Sequence, residues 1–175
     1  DVENEGNYLF VVNGDGTMGV FITNRAEKVM AWTKYTTTGD IMDVAVVEDV
    51  VYLYVKRTIN SSTVYHVEAL DNSYYTDASI QVTQSASATV SGLTHLNGQS
   101  CRVRADSSVM DNATPSSGAI TLSRAATNIE VGLNFDVTIK TMPAAVTLDA
   151  GPISVKKRRI SRVSAQLHQS TGLKI

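Results

Sequence analysis

The chain has 175 residues, 43% of them hydrophobic and 18% charged, with a formal net charge of −2 at pH 7. Surface scaling for a chain of this mass buries roughly 70% of the unfolded surface, enough for one sound domain or two small ones. The near-neutral balance argues against a protein that grips nucleic acid through a broadly basic surface. No apolar run approaches the ~20 residues of a membrane-spanning helix, so no membrane insertion is expected.

Cys101 is the only cysteine. It excludes an internal disulfide and a multi-thiolate zinc site, and reads as a small buried apolar residue within Ser100-Cys101-Arg102-Val103. The first residues, Asp1-Val2-Glu3-Asn4, carry neither an initiator methionine nor a basic and apolar leader pattern, so the chain reads as a piece of a longer polypeptide. Serine, threonine and valine are abundant and helical patterning is scarce. That balance favours strands and turns, because β-branched side chains fit a pleated surface, and an almost all-β protein is expected.

In chain order, Tyr8-Leu9-Phe10-Val11-Val12 is the first expected strand. It stops at Asn13-Gly14-Asp15-Gly16, whose glycines and Asx side chains suit a tight hairpin. Met18-Gly19-Val20-Phe21-Ile22-Thr23 is its partner, and Val29-Met30-Ala31-Trp32-Thr33-Lys34-Tyr35 is a third strand that ends in a turn at Thr38-Gly39-Asp40. Residues 41–47 and 50–57 follow as strands around Glu48-Asp49, and the polar turn Asn60-Ser61-Ser62 leads into residues 63–70. Strands of this length on hairpin-sized loops predict an antiparallel meander. The succession makes about one and a half four-stranded units of the kind repeated in β-propellers, too few to close a ring.

Periodicity relaxes from residue 71 onward, and a domain boundary is expected near residues 78–87. It would divide the chain into a propeller-blade-like meander over 1–80 and a small β-barrel or sandwich over 81–175. In the second part Cys101, Val103 and Ala105 alternate with Arg102 and Arg104, the clearest half-buried strand in the chain. Residues 88–91, 108–110, 119–122, 129–133 and 136–140 read as further short strands. The last stretch, residues 156–168, alternates as a basic C-terminal strand. Ile160, Val163 and Leu167 also fit one helical face there, but the serines weaken that option.

Chemical motifs are sparse. Asn13-Gly14-Asp15-Gly16-Thr17 faintly matches the start of a calcium loop, yet Asn24 stands where the twelfth-position glutamate belongs, so a hairpin turn is expected. His66, His95 and His168 show none of the short zinc spacings, and neither a nucleophile elbow nor a Walker-type loop occurs. No catalytic residue, metal or cofactor is therefore assigned. Glycan cleavage would need two carboxylates across a cleft. Asp40, Asp43, Glu48, Asp49, Glu68, Asp71 and Asp77 lie mostly in turns or on polar strand faces and read as solvated. Trp32, Tyr35, Tyr52, Tyr54, Tyr65, Tyr74 and Tyr75 suit either a sugar platform or packing between blades. The one notable charge run, Lys156, Lys157, Arg158 and Arg159 with Arg162, suits phosphates or acidic residues of a neighbouring subunit, or a solvated edge that blocks aggregation. Subunit contact is the role assigned to it.

Taken in order, Val29-Met30-Ala31-Trp32-Thr33, Gly39-Asp40, Val44-Ala45-Val46-Val47, Tyr65-His66-Val67-Glu68-Ala69-Leu70 and Val90-Ser91-Gly92-Leu93-Thr94-His95-Leu96-Asn97-Gly98 resemble the C-terminal part of phage tail proteins. Gly118-Ala119-Ile120-Thr121-Leu122, Val131-Gly132-Leu133, Ile139-Lys140-Thr141-Met142-Pro143 and Lys157-Arg158-Arg159-Ile160-Ser161-Arg162-Val163 continue the series. The chain is thus similar to the tail tubular protein B, or nozzle, group of short-tailed phages over most of residues 8–173. The resemblance implies a β-rich virion component with a propeller-like portion, made in the bacterial cytoplasm and built into the tail. It also implies a homo-oligomer, generally a hexameric ring, that meets adjacent tail or adaptor proteins and lets DNA pass without specific binding. No catalytic constellation and no cofactor come with it. The aromatic residues and carboxylates of the first half leave a glycan-binding or glycan-degrading β module as the alternative.

Overall fold

The computed structural model describes residues 7–24, 26–140, 147–148, 151–152 and 162–166. It is all-β, as the composition predicts. Strands β1 (Asn7–Val12), β2 (Met18–Asn24) and β3 (Val29–Tyr35) form one antiparallel sheet in that order, and β4 (Asp40–Val47), β5 (Val50–Ile59) and β6 (Ser62–Ala69) form a second. The third sheet is built from β7 (Asp77–Ser91), β8 (Cys101–Ala105), β9 (Ser108–Ala113) and β10 (Ala119–Leu133), in the spatial order β7-β10-β8-β9. A single 3₁₀ turn, Thr94–Leu96, lies between β7 and β8. These elements belong to one compact unit, Asp1–Phe135; a second unit, Asp136–Ile175, contains the short pair β11 (Thr147–Leu148) and β12 (Gly151–Pro152).

The turns form where left-handed backbone is tolerated. At the β1–β2 hairpin Gly16 takes φ 78°, and Asp15 Oδ1 accepts hydrogen bonds from the Thr17 amide at 3.1 Å and its hydroxyl at 2.6 Å. This loop is the hairpin turn expected from its sequence. Glu48 and Asp49, Asn60 and Ser61, and Asp106 and Ser107 all have positive φ, the signature of two-residue hairpin turns whose twist matches the flanking strands. The meander breaks between β3 and β4 at Gly39, φ 141°. A Cβ there would collide with the Lys56 carbonyl, so only glycine fits where the chain leaves the first sheet and starts another. The six strands consequently divide three and three, in place of one and a half four-stranded units.

Each of the first two sheets turns one face toward the other. Met18 and Val20 of β2 meet Ile41, Leu53 and Val55 in one buried cluster, flanked by Phe10, Val12, Val44 and Val51. The third sheet has its own core, in which cross-strand rows such as Ile80–Val131–Val103 and Val82–Ile129–Ala105 join Val90, Leu93, Leu96, Ile120 and Leu122. Burying one such aliphatic side chain contributes about 1.5–3 kcal/mol. Cys101, Val103 and Ala105 are buried and Arg102 and Arg104 are not, so the alternation read from the sequence holds.

Four further readings of the sequence differ from the structure. Residues 78–87, where the periodicity relaxes, lie inside the 15-residue strand β7. Segments 119–122 and 129–133 are the two ends of one 15-residue strand, β10, whose pairing with β7 shifts register between Thr121 and Asn128. Residues 136–140 form no strand: Val137 and Ile139 do alternate, but they are 74% and 83% exposed, and among the described residues no strand pairs with them. In the expected basic C-terminal strand, residues 162–166 have no regular structure, and the rest of that stretch lies outside the described residues.

Candidate functional surface

One polar group is built around a buried charge, the junction at Arg57. Its position on β5 turns the side chain to the inner face, where it is buried. Glu68, across the hairpin on β6, takes the guanidinium in a two-point clamp: Nε donates to Oε1 and Nη2 to Oε2, both at 2.7 Å. Nη1 donates to the Thr38 carbonyl at 2.8 Å, and Asp77 Oδ1 lies 3.5 Å from Nη2. Asp77 in turn accepts a hydrogen bond from the Thr37 hydroxyl at 2.5 Å. Burial opposes the charge on Arg57, but the hydrogen bond and charge of Glu68, then those of Asp77, outweigh it and raise its pKa. The planar fork makes this geometry available to arginine and not to lysine.

Two histidines border this junction. His95 Nε2 lies 3.2 Å from the Ala78 carbonyl oxygen, and burial is the largest influence holding its pKa below the ordinary value. His66 Nε2 is buried and has no hydrogen-bond partner among the described residues. A buried carboxylate, Glu130, accepts the Tyr75 amide at 2.7 Å and the Thr76 hydroxyl at 3.0 Å. It also pairs with Arg104 Nη1 at 3.2 Å, and the Arg104 guanidinium lies 4.6 Å from the centre of the Tyr75 ring.

The carboxylates weighed for glycan chemistry hold the fold in several places. Asp40 pairs with Lys56 at 3.4 Å, Asp43 accepts the Val44 amide at 2.8 Å, and Asp71 accepts the Ser73 amide and hydroxyl at 2.8 and 2.7 Å. Glu48 and Asp49 form the β4–β5 turn. The structure therefore brings together Glu68 and Asp77, through Arg57, and not the others. Cys101 is buried, and burial pushes its thiol up to about 11. Arg162 is exposed; Lys156, Lys157, Arg158 and Arg159 lie outside the described residues, as does His168.

Several exposed aromatic residues of the two three-stranded sheets stand on the faces turned away from the shared core, while Tyr8 and Tyr35, also exposed, stand on the core side. Leu9, Phe21 and Trp32 stand in one cross-strand row, beside Met30. Met30 is 77% and Trp32 62% exposed, although the ring of Trp32 touches that of Phe21, centre to centre 5.0 Å. On the second sheet Tyr54 and Tyr65 stack at 5.5 Å with an interplanar angle of 14°, next to Val67, which is 71% exposed. Contiguous apolar area of this kind marks interaction surfaces. The sequence offered the aromatic residues as a platform or as packing between blades; the register of the hairpins puts Trp32 on one outer face and Tyr52, Tyr54 and Tyr65 on the other, with Tyr35 on the core side of β3. In comparison with known proteins, no family model and no curated sequence matches this chain.

Proposed function

We propose that this chain is a structural component of a short-tailed bacteriophage tail, a nozzle-like wall segment of the oligomeric conduit through which the genome leaves the capsid. The observation that carries the reading is the ordered series of segments from Val29-Met30-Ala31-Trp32-Thr33 to Lys157-Arg158-Arg159-Ile160-Ser161-Arg162-Val163. Two physical features support it. Hydrogen-bonded antiparallel sheets supply a stiff wall, and the apolar outer faces of the two meanders supply area for the repeated subunit contacts of a symmetric assembly. The mildly acidic net charge of −2 suits a wall past which DNA moves, since each phosphate neutralised by a lysine or arginine adds affinity. Its role is mechanical, with no bond made or broken by its side chains. Labelling purified virions with an antibody to this chain tests the reading: label on the tail is expected, and a tail without label overturns it.

The stacked pair Tyr54 and Tyr65 favours a second reading, a glycan-binding or glycan-degrading β module, because parallel exposed rings suit the faces of sugars. A glycan array with a reducing-end assay separates the two readings. Binding or turnover that is lost in Tyr54→Ala would favour the second.

A further inference from the structure

We propose that the outer face of the third sheet holds a binding site for a neutral saccharide, in the groove between the Arg104–Glu130 pair and the β8–β9 turn. The site goes beyond the tail reading and does not depend on it. Rows Ile80–Val131–Val103 and Val82–Ile129–Ala105 face the core. The row between them, Gln81–Glu130–Arg104, therefore faces outward. Its charged members are fixed from one side by the segment that enters β7. The Tyr75 amide and the Thr76 hydroxyl hold Glu130, which is 5% exposed, and the Arg104 guanidinium rests over the Tyr75 ring. On the other side the β8–β9 turn is tied to β10 by Asp106. Its Oδ1 accepts the amides of Thr127 and Asn128 at 3.1 and 3.0 Å and the Thr127 hydroxyl at 2.8 Å. Between these two supports lies a groove of about 520 Å³, within the ~300–1,000 Å³ of small-ligand sites.

The groups along the groove point to the class of ligand. Charge is balanced on the spot, since Arg104 pairs with Glu130 and Arg124 with Asp106, each at 3.2 Å. A phosphate or carboxylate would find no surplus positive charge there. An apolar ligand would strip water from polar groups and return no hydrogen bond. Sugar hydroxyls both donate and accept, which is what the groove offers in turn. The exposed Gln81 amide, two donors and one acceptor, has no partner among the described residues. Arg104 gives Glu130 a bond from Nη1 alone, out of the five N–H groups of a guanidinium. The Ser107 hydroxyl completes the lining on the turn. Because Arg104, Glu130 and Asp106 are already held in place, a ligand meets groups that need little further ordering.

Nuclear magnetic resonance on the full chain tests the site. The probes are neutral di- and trisaccharides of glucose, galactose, mannose, rhamnose and N-acetylglucosamine, at tens of millimolar. At least one is expected to shift the side-chain signals of Gln81, Asn128 and Arg104 together. Gln81→Ala, at an exposed position, should keep the β circular dichroism spectrum and weaken that binding about two- to tenfold, the loss of one hydrogen bond, read at Asn128 and Arg104. No shift with any sugar, or undiminished binding in Gln81→Ala, would overturn the site. Inorganic phosphate moving these signals where sugars do not would make the groove an anion site and also overturn it. So would binding that is lost in Tyr54→Ala and kept in Gln81→Ala, which would put the sugar on the second sheet. None of these results bears on whether the antibody labels the tail, so the tail reading and the groove fail separately.

Discussion

Arg57 shows how much a single side chain holds here. It joins β5 to β6 through Glu68, to the β3–β4 connection through Thr38, and to the start of β7 through Asp77. Removing one partner of a buried charge pair leaves the other charges uncompensated, which costs about 3–5 kcal/mol. Arg57→Ala should lower the urea unfolding free energy by about that much, with Arg57→Lys recovering only part of it because an ammonium cannot make the two-point clamp. A loss below 1 kcal/mol, about the ceiling for an exposed pair, would mean that the junction is held elsewhere. His95 gives a pH signature of opposite origin. Burial keeps its folded pKa below the unfolded value of 6.5, so the folded state binds fewer protons than the unfolded state as pH drops. The associated stability is complete above that value and is lost as pH falls through the folded one. Melting temperature should therefore decline between pH 7 and pH 5, and His95→Gln, whose amide can still reach the Ala78 carbonyl, should flatten that decline. An unchanged slope in the variant would assign the decline to other groups. Neither role was legible in the sequence, where Arg57, Glu68 and Asp77 are separate residues and only the hairpin register and the approach of β7 bring them together.

At the scale of elements, what could be read depended on whether a strand is a run of large apolar residues closed by a turn. The strands up to β6 were legible because their apolar runs end at turn residues that adopt positive φ, such as Gly16, Asn60 and Ser61. Of strand β7 only the last part, residues 88–91, was: before it Ser85, Ala86 and Ser87 offer small side chains to both faces, and only Val90 in that strand is fully buried. The centre of β10 hid its continuity in the same way, with polar Ser123, Arg124, Thr127 and Asn128 around the single buried Ala126. Residues 136–140 failed in the other direction, since alternation shows that a strand is possible and says nothing of a partner to pair with. Gly132 records how tightly β10 is held. A Cβ on it would lie 2.6 Å from the Asp77 carbonyl oxygen and also strike the Thr76 side chain, so the start of β7 must pass directly over a bare backbone. Overpacking of that kind costs about 1–3 kcal/mol. Gly132→Ala should destabilise the chain by that amount in chemical denaturation, and amide exchange should speed up first at Asp77 and Ile80. A neutral effect would show that β7 can draw back freely.

At the scale of the whole molecule, the question is where independent folding stops. Both buried clusters lie in the unit Asp1–Phe135, whereas the relaxed periodicity around residues 78–87 placed a boundary in the middle of that unit. The first two sheets are tied to the third by ordinary polar bonds: Asp77 with Arg57 and Thr37, and Gln99 Nε2 donating to the Thr58 carbonyl at 2.9 Å. Such bonds have no period, so no reading of hydrophobic pattern reveals them, and each is worth only about 0.5–1.5 kcal/mol, rising to about 1.5–3 where a charge takes part. Together they are large against the 5–15 kcal/mol by which domains are typically stable. Two truncations separate the possibilities. A fragment of residues 1–135 should keep the far-ultraviolet β spectrum and unfold in one cooperative step close to that of the whole chain. A fragment of residues 1–80 retains the cluster of Met18 and Val55 but loses the His95 and Gln99 bonds and leaves β7 without β10, so it should melt lower and less cooperatively. If the shorter fragment instead unfolds as sharply as the longer one, the two meanders are a folding unit of their own, and the boundary that the sequence pattern suggested is the real one.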